Sequence, residues 1–64
     1  QDSKDIRNQI KFLEKQLENV TGEANEIEIL ETLVDCYNKI NKQDKVKELT
    51  EKRDKLKLSM KDFS

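Results

Sequence analysis

The side chains of this sequence that could do chemistry are few: one cysteine, one tyrosine, and a set of carboxylates and lysines, with no histidine. Cys36 could act as a nucleophilic thiol, but it follows the acidic Asp35, and no histidine is present to lower its pKa. The sequence therefore favours a small, partly buried helix residue at this position. Tyr37 could stack on a ligand, but its helical spacing with Leu33 and Ile40 favours a core side chain whose hydroxyl reaches the edge.

The carboxylates offer little sign of a catalytic or metal site. Glu23, Glu26 and Glu28 could bind a cation, but they lack the Asp-x-Asp-x-Asp-Gly loop of a calcium site, which favours a solvated helix start. With no histidine and one cysteine, zinc and copper would have too few nitrogen and sulfur ligands. Two phenylalanines and one tyrosine leave little to desolvate a general acid. We therefore expect no enzyme, no cofactor and no metal.

The charges are segregated along the chain although they sum to −1. Residues 23–38 net −5, and residues 39–61 net +5. This pattern is typical of an acidic helix beside a basic helix, and it also fits a basic face for an acidic partner such as nucleic acid. Nucleic-acid binders usually add arginines and aromatic residues for base contacts, of which the basic stretch has few. The complementary-helix interpretation is therefore favoured, with nucleic acid as the alternative.

A composition 42% charged, with one glycine and no proline, argues against an all-β fold, since hairpins need turn formers. The first apolar set repeats at spacings of 4, 3, 4 and 3, a strict heptad seam. It consists of Ile6, Ile10, Leu13, Leu17 and Val20. Gly22 follows, where a helix C-cap needs a residue at positive φ. The pattern predicts a first helix over about 3–20.

The second segment has a wider apolar stripe, which is typical of a helix packed between two neighbours. Asn25 followed by Glu28 resembles a capping box and predicts a helix over about 25–41. The apolar phase then shifts by about two residues, or roughly 200° around a helix. With Asn41 tolerating positive φ and Asp44 suited to an N-cap, this predicts a turn at 41–44 and a third helix over about 45–60. A continuous, kinked helix is the alternative.

Arg53 interrupts the apolar seam of the third helix. It could extend its guanidinium to water while its stem packs, or it could meet an acid from the facing helix or from a partner.

Residues 27–60 resemble a single helical-hairpin repeat of the tetratricopeptide or pentatricopeptide type. In those families a leucine and a tyrosine four residues apart mark the first helix, as do Leu33 and Tyr37 here. A small residue nine positions after the tyrosine, here Val46, begins the packing face of the second helix. Asn41 stands in the turn where a glycine is usual, and Leu58 stands near the usual closing proline. The resemblance implies a helical hairpin and a scaffold that binds other proteins; the RNA-reading code is not carried over from one unit.

The sequence thus predicts an all-α fold: a small three-helix bundle or coiled-coil-like helical hairpin, running up-down-up. Residues 1–64 are interpreted as a single helical module, and the start at Gln1 suggests a fragment of a longer protein. No apolar run approaches a membrane span or a signal peptide, and the lone cysteine favours an intracellular location, cytoplasmic or nuclear.

The predicted function is non-enzymatic protein–protein interaction, as an oligomerisation or docking domain. A chain this small buries little apolar surface in its own core, and a partner protein or a second copy would bury more. No membrane, small-molecule or cofactor partner is expected. The residues predicted to bind the partner are the first seam and one cation: Ile6, Ile10, Leu13, Leu17, Val20 and Arg53.

Overall fold

The computed structural model describes the backbone of residues 3–61 and the side chains of residues 3–59. Its helices are α1 (Ser3–Asn19), α2 (Glu23–Lys39) and α3 (Gln43–Lys61), and the described residues contain no strand. The predicted all-α three-helix bundle is confirmed, and the helix ends lie within about two residues of the predicted ones, the usual uncertainty of such boundaries. The break between α2 and α3 removes the alternative of one continuous helix.

The first turn depends on Gly22, which adopts φ 94° as the sequence predicts. It is the N-cap of α2 and not the C-cap of α1, and its carbonyl accepts the Glu26 amide at 3.1 Å. The predicted capping box is wrong, because α2 begins two residues before Asn25. The Asn25 side-chain amide instead donates to the Thr21 carbonyl at 3.2 Å. The turn is therefore fixed by backbone geometry that favours glycine.

The second turn is a Schellman motif with Asn41 at φ 60°. The Lys42 amide donates to the Tyr37 carbonyl at 2.9 Å, and the Asn41 amide donates to the Asn38 carbonyl at 3.2 Å. The Lys42 carbonyl then accepts the Val46 amide at 3.0 Å and starts α3. Asp44 therefore lies in the first turn of α3 and not at its N-cap, which corrects the prediction. Its negative charge still suits a helix N-terminus.

The central element of the bundle is α2, which contacts both other helices, while no Cα of α1 lies within 8 Å of a Cα of α3. It supplies five of the seven buried apolar side chains described: Ile27, Leu30, Leu33, Cys36 and Tyr37. The other two, Ile6 and Ile10, come from α1. The wide stripe of the second segment thus has the two neighbours predicted for it.

The helix directions follow from the core contacts. Cys36 and Tyr37, near the end of α2, cluster with Ile6 and Ile10 from the first half of α1. Val46, from the start of α3, packs against the same cluster. The chain therefore reverses direction at each turn, which gives the predicted up-down-up order, in a body of 41 × 22 × 15 Å.

Candidate functional site: a groove between the first two helices

An open groove of about 710 Å³ lies between α1 and α2, at the end of the bundle where the first turn joins them. This volume is in the range of sites that bind small molecules. Its described lining comes from α1, α2 and the turn between them, and none of the α3 side chains at 43–59 belongs to it. Its lining from α1 and the turn is Phe12, Leu13, Lys15, Gln16, Asn19 and Val20, and its lining from α2 is Asn25, Glu28, Ile29 and Thr32.

The apolar part of the groove is built around Phe12, whose side chain is 62% exposed. Leu13, the next residue, belongs to the heptad seam and packs against the core cluster. One residue is a rotation of about 100° on a helix, so Phe12 is carried out of the core and onto the groove edge. Val20 and Ile29 are half-buried in the same lining. Together these four side chains give the groove an apolar surface on a chain with few apolar residues.

Several polar side chains of the groove are hydrogen-bonded to backbone carbonyls near them in sequence. The Asn19 amide donates to the Lys15 carbonyl at 3.1 Å, and the Thr32 hydroxyl donates to the Glu28 carbonyl at 3.0 Å. The Asn25 side-chain amide likewise donates to the Thr21 carbonyl in the first turn. Such local bonds keep polar groups close to their own helix, which leaves the apolar side chains of the groove open.

Lys15 and Glu28 give the groove one charge of each sign. Lys15 comes from α1 and Glu28 from α2, and both side chains are exposed. They do not form a salt bridge with each other, and neither has another ion-pair partner among the described residues. Both charges of the groove are therefore unpaired within the described part of the chain.

The predicted partner-binding seam is divided by the structure. Ile6 and Ile10 are 9% and 5% exposed and belong to the internal core cluster. Leu13 and Leu17 are half-buried against that cluster, and Leu13 and Val20 also line the groove. The second half of the seam therefore meets the groove, while the first half is covered by α2. The apolar periodicity did not identify Phe12 and Ile29 as groove residues, because they lie on the flanks of the two apolar stripes.

Arg53, the last predicted partner-binding residue, is held within the chain. Its guanidinium lies 3.8 Å from the Glu31 carboxylate of α2 and 3.3 Å from Asp54. Lys57 reaches the same Glu31 oxygen at 3.4 Å. Glu31 is thus the acid from the facing helix that the sequence offered as a partner for Arg53. Its two ion pairs show that the acidic α2 and the basic α3 complement each other. The Nε atom of Arg53 is buried without a hydrogen-bond partner among the described atoms.

Tyr37 is a core residue with a polar end, as its spacing predicts. Its ring is 8% exposed, and its hydroxyl donates to the Glu14 carboxylate at 2.8 Å, which joins α2 to α1. Burial, the hydrogen bond to Glu14 and the charges of Glu14 and Glu48 raise the pKa of Tyr37 to about 12. The phenol is therefore a donor that holds two helices together, and it does not line the groove.

Cys36 is buried, at 3% exposure, also outside the groove lining. Burial and, to a smaller extent, the charge of Asp35 raise the pKa of the thiol, although Lys39 acts in the opposite direction. A buried thiol with a raised pKa is a poor nucleophile. The interpretation of Cys36 as a packing residue agrees with its position.

Within the part of the chain that the structure describes, no three acidic or thiol side chains come together in a way that could hold a metal ion. No helix there is long and apolar enough to cross a membrane. In comparisons with protein-family models, curated proteins and solved structures, no match to this chain was found. The resemblance of residues 27–60 to a tetratricopeptide or pentatricopeptide repeat stays a prediction.

Proposed function

We propose that this chain is a non-enzymatic protein-interaction module that takes one amphipathic helix into the groove between α1 and α2. The observation that carries the proposal is the exposure of Phe12, 62% of whose side chain lies open beside half-buried Leu13, Val20 and Ile29. An exposed apolar surface with a polar rim is typical of a protein-binding site. A groove between two helices is the usual seat of an amphipathic helix, which places its apolar face against such side chains.

The chemistry of the groove supports binding over catalysis. Its titratable side chains are Lys15 and Glu28, which form no ion pair with each other, and the hydroxyl in its described lining, that of Thr32, donates to the Glu28 carbonyl. Cys36 and Tyr37 lie outside the groove. A general acid or base needs a nearby reacting group and a desolvated pocket, and this open groove supplies neither.

Three of the six cations of α3 whose side chains are described already have acidic partners, which makes this helix less suited to nucleic acid than its charge suggests. Arg53 and Lys57 of α3 face Glu31 of α2, and Lys45 pairs with Glu48 of its own helix at 3.6 Å. Cations that already have acidic partners release fewer counterions when they meet phosphate. The apolar groove is therefore the better-supported binding surface.

A peptide titration followed by two-dimensional amide NMR tests the proposal. The probe is a synthetic amphipathic peptide of about 18 residues, long enough to form a helix on binding, with a Leu/Ile face flanked by Lys on one side and Glu on the other. We expect shifts confined to residues of the groove. A scrambled peptide of the same composition should leave the spectrum unchanged.

Two matched variants control the titration. Phe12→Gln removes the exposed ring of the groove and should weaken peptide binding at least tenfold, about the effect of losing one anchor side chain. Leu58→Gln removes an equally exposed apolar side chain, 63% open, from a position on α3 that does not line the groove. It should leave the affinity unchanged. Equal effects of the two variants, or shifts spread over α3, would refute the groove as the binding surface.

A further inference from the structure

We infer that the helix that occupies the groove comes from a second copy of this chain, related to the first by a two-fold axis. This inference rests on the proposed function and adds the identity of the occupant. Two α1–α2 pairs packed groove to groove would make a four-helix arrangement, with each α1 seated against the groove of the other copy. In such an interface every contact occurs twice, because residue i meets residue j and j meets i.

The charges of the groove are self-complementary. Lys15 of α1 and Glu28 of α2 line the same groove with opposite sign, and each lacks an ion-pair partner among the described residues. With the two-fold axis placed between Lys15 and Glu28, Lys15 of each copy would meet Glu28 of the other. A partner helix with a single sign of charge would satisfy one of these residues and repel the other. A second copy satisfies both with no further charged residue.

The apolar contact is self-complementary in the same way. Phe12 is the exposed ring of the groove, and Leu13, Val20 and Ile29 form its half-buried surface. In the two-fold arrangement the ring of each copy lies against the apolar surface of the other. Aromatic side chains that enter a pocket of the partner usually carry most of the binding energy of an interface.

The overall charge also permits self-association. The chain nets −1, so that two copies repel each other little at long range. The groove is lined by ten residues, fewer than the roughly 20–30 residues a side of a standard interface. We therefore expect a weak dimer, with a dissociation constant of about 10–100 µM.

Sedimentation equilibrium of the full chain from about 5 µM to about 500 µM covers this range. We expect a reversible monomer–dimer equilibrium. Phe12→Gln should weaken it about 100-fold, since a tenfold loss occurs once on each copy. Leu58→Gln, the matched exposed residue outside the groove, should leave it unchanged. A chain that is monomeric throughout this range, or a dimer equally insensitive to both variants, would overturn the inference.

A charge exchange gives a second test that does not depend on removing the ring. Lys15→Glu and Glu28→Lys should each weaken self-association, because like charges then meet across the interface. A mixture of the two variants should form a heterodimer about tenfold more tightly than either variant associates alone, since both contacts become attractive again. The double variant should again form a homodimer. Both positions are exposed, and far-UV circular dichroism checks that each variant is folded. A mixture that associates no better than its components would contradict the two-fold pairing.

The peptide titration separates the two proposals. A chain that stays monomeric but binds the amphipathic peptide in its groove would refute the second copy as occupant and leave the proposed function standing. A chain that neither associates nor binds the peptide would refute both. Both proposals would be supported by two results together: Phe12→Gln weakens the dimer, and mixing the Lys15→Glu and Glu28→Lys variants restores the association that each of them loses alone.

Discussion

The two sides of α2 are held by different forces. Towards α3, the Glu31 carboxylate lies between Arg53 and Lys57, at 3.8 and 3.4 Å. Towards α1, contact at one end is apolar, through Ile6 and Ile10, while the other end opens into the groove. The side facing α3 therefore combines ion pairs with the apolar packing of Val46 and Leu49, and the side facing α1 is closed by burial at one end only.

The charge segregation of the sequence explains this difference. Residues 23–38, which form nearly all of α2, have a net charge of −5. Residues 39–61, which include α3, have a net charge of +5, whereas residues 1–22 have a net charge of zero. Opposite net charges attract α2 and α3 over several residues. Nothing comparable draws α1 to α2, so α1 depends on its seam and on the Tyr37–Glu14 hydrogen bond. A surface closed only in part by its own chain is the natural place for a partner to bind.

The largest expected loss of stability comes from the buried end of the α1–α2 contact. Ile10 is 5% exposed, and Ile10→Ala should lower the free energy of unfolding by about 3 kcal/mol, because it leaves a cavity in the core. Leu49, on α3, is only half-buried, and Leu49→Ala should cost about half as much. Urea denaturation followed by far-UV circular dichroism measures both. Equal losses would show that the two sides of α2 depend equally on apolar burial.

The Tyr37–Glu14 hydrogen bond should contribute a smaller amount to the same side. Tyr37→Phe keeps the ring and removes the donor, at a cost of about 1 kcal/mol. The effect depends on pH, because the pKa of Tyr37 is raised to about 12 in the folded chain against about 10 unfolded. The unfolded chain ionises first, so the stabilisation is complete below about pH 10 and is lost as the pH rises towards 12.

The difference in stability between the native chain and Tyr37→Phe isolates this effect, because the lysines titrate in both. Urea midpoints from neutral pH to about pH 11 should converge as the phenol ionises. A constant difference across that range would mean that the phenol is not buried against Glu14.

Much of this fold could be predicted from the sequence. The 4-3-4-3 seam, the wide second stripe and the phase shift before Val46 gave the three helices and the central place of α2. The helix starts were less well predicted. Gly22 and Lys42 precede their helices without a side-chain cap that the sequence pattern could reveal. The predicted caps, Asn25 and Asp44, lie three and two residues after these positions. Backbone-only caps leave no residue signature.

The groove could not be predicted in the same way. Periodicity assigns a residue to a face of its helix. How much of that face a neighbouring helix covers depends on the crossing angle between the two helices and on their packing. Phe12 and Ile29 lie on the flanks of their stripes, where a small change in packing decides between burial and exposure. The exposure of Phe12 therefore follows from how α1 packs on α2, and it becomes visible only in three dimensions.

The smallest expected effect tests the ion pairs between α2 and α3. Glu31→Gln removes the carboxylate shared by Arg53 and Lys57 but keeps the shape of the side chain. Glu31 and Lys57 are about half exposed, so water and salt screen the pair, and the loss should stay below about 1 kcal/mol. It should shrink further in about 1 M salt, where charges are screened within about 3 Å. The same substitution at Glu28, which has no ion-pair partner in the described chain, should leave the stability of the monomer unchanged at either salt concentration. A loss at Glu31 that persists in high salt would mean that Glu31 stabilises the α2–α3 contact by hydrogen bonding or packing and not by charge.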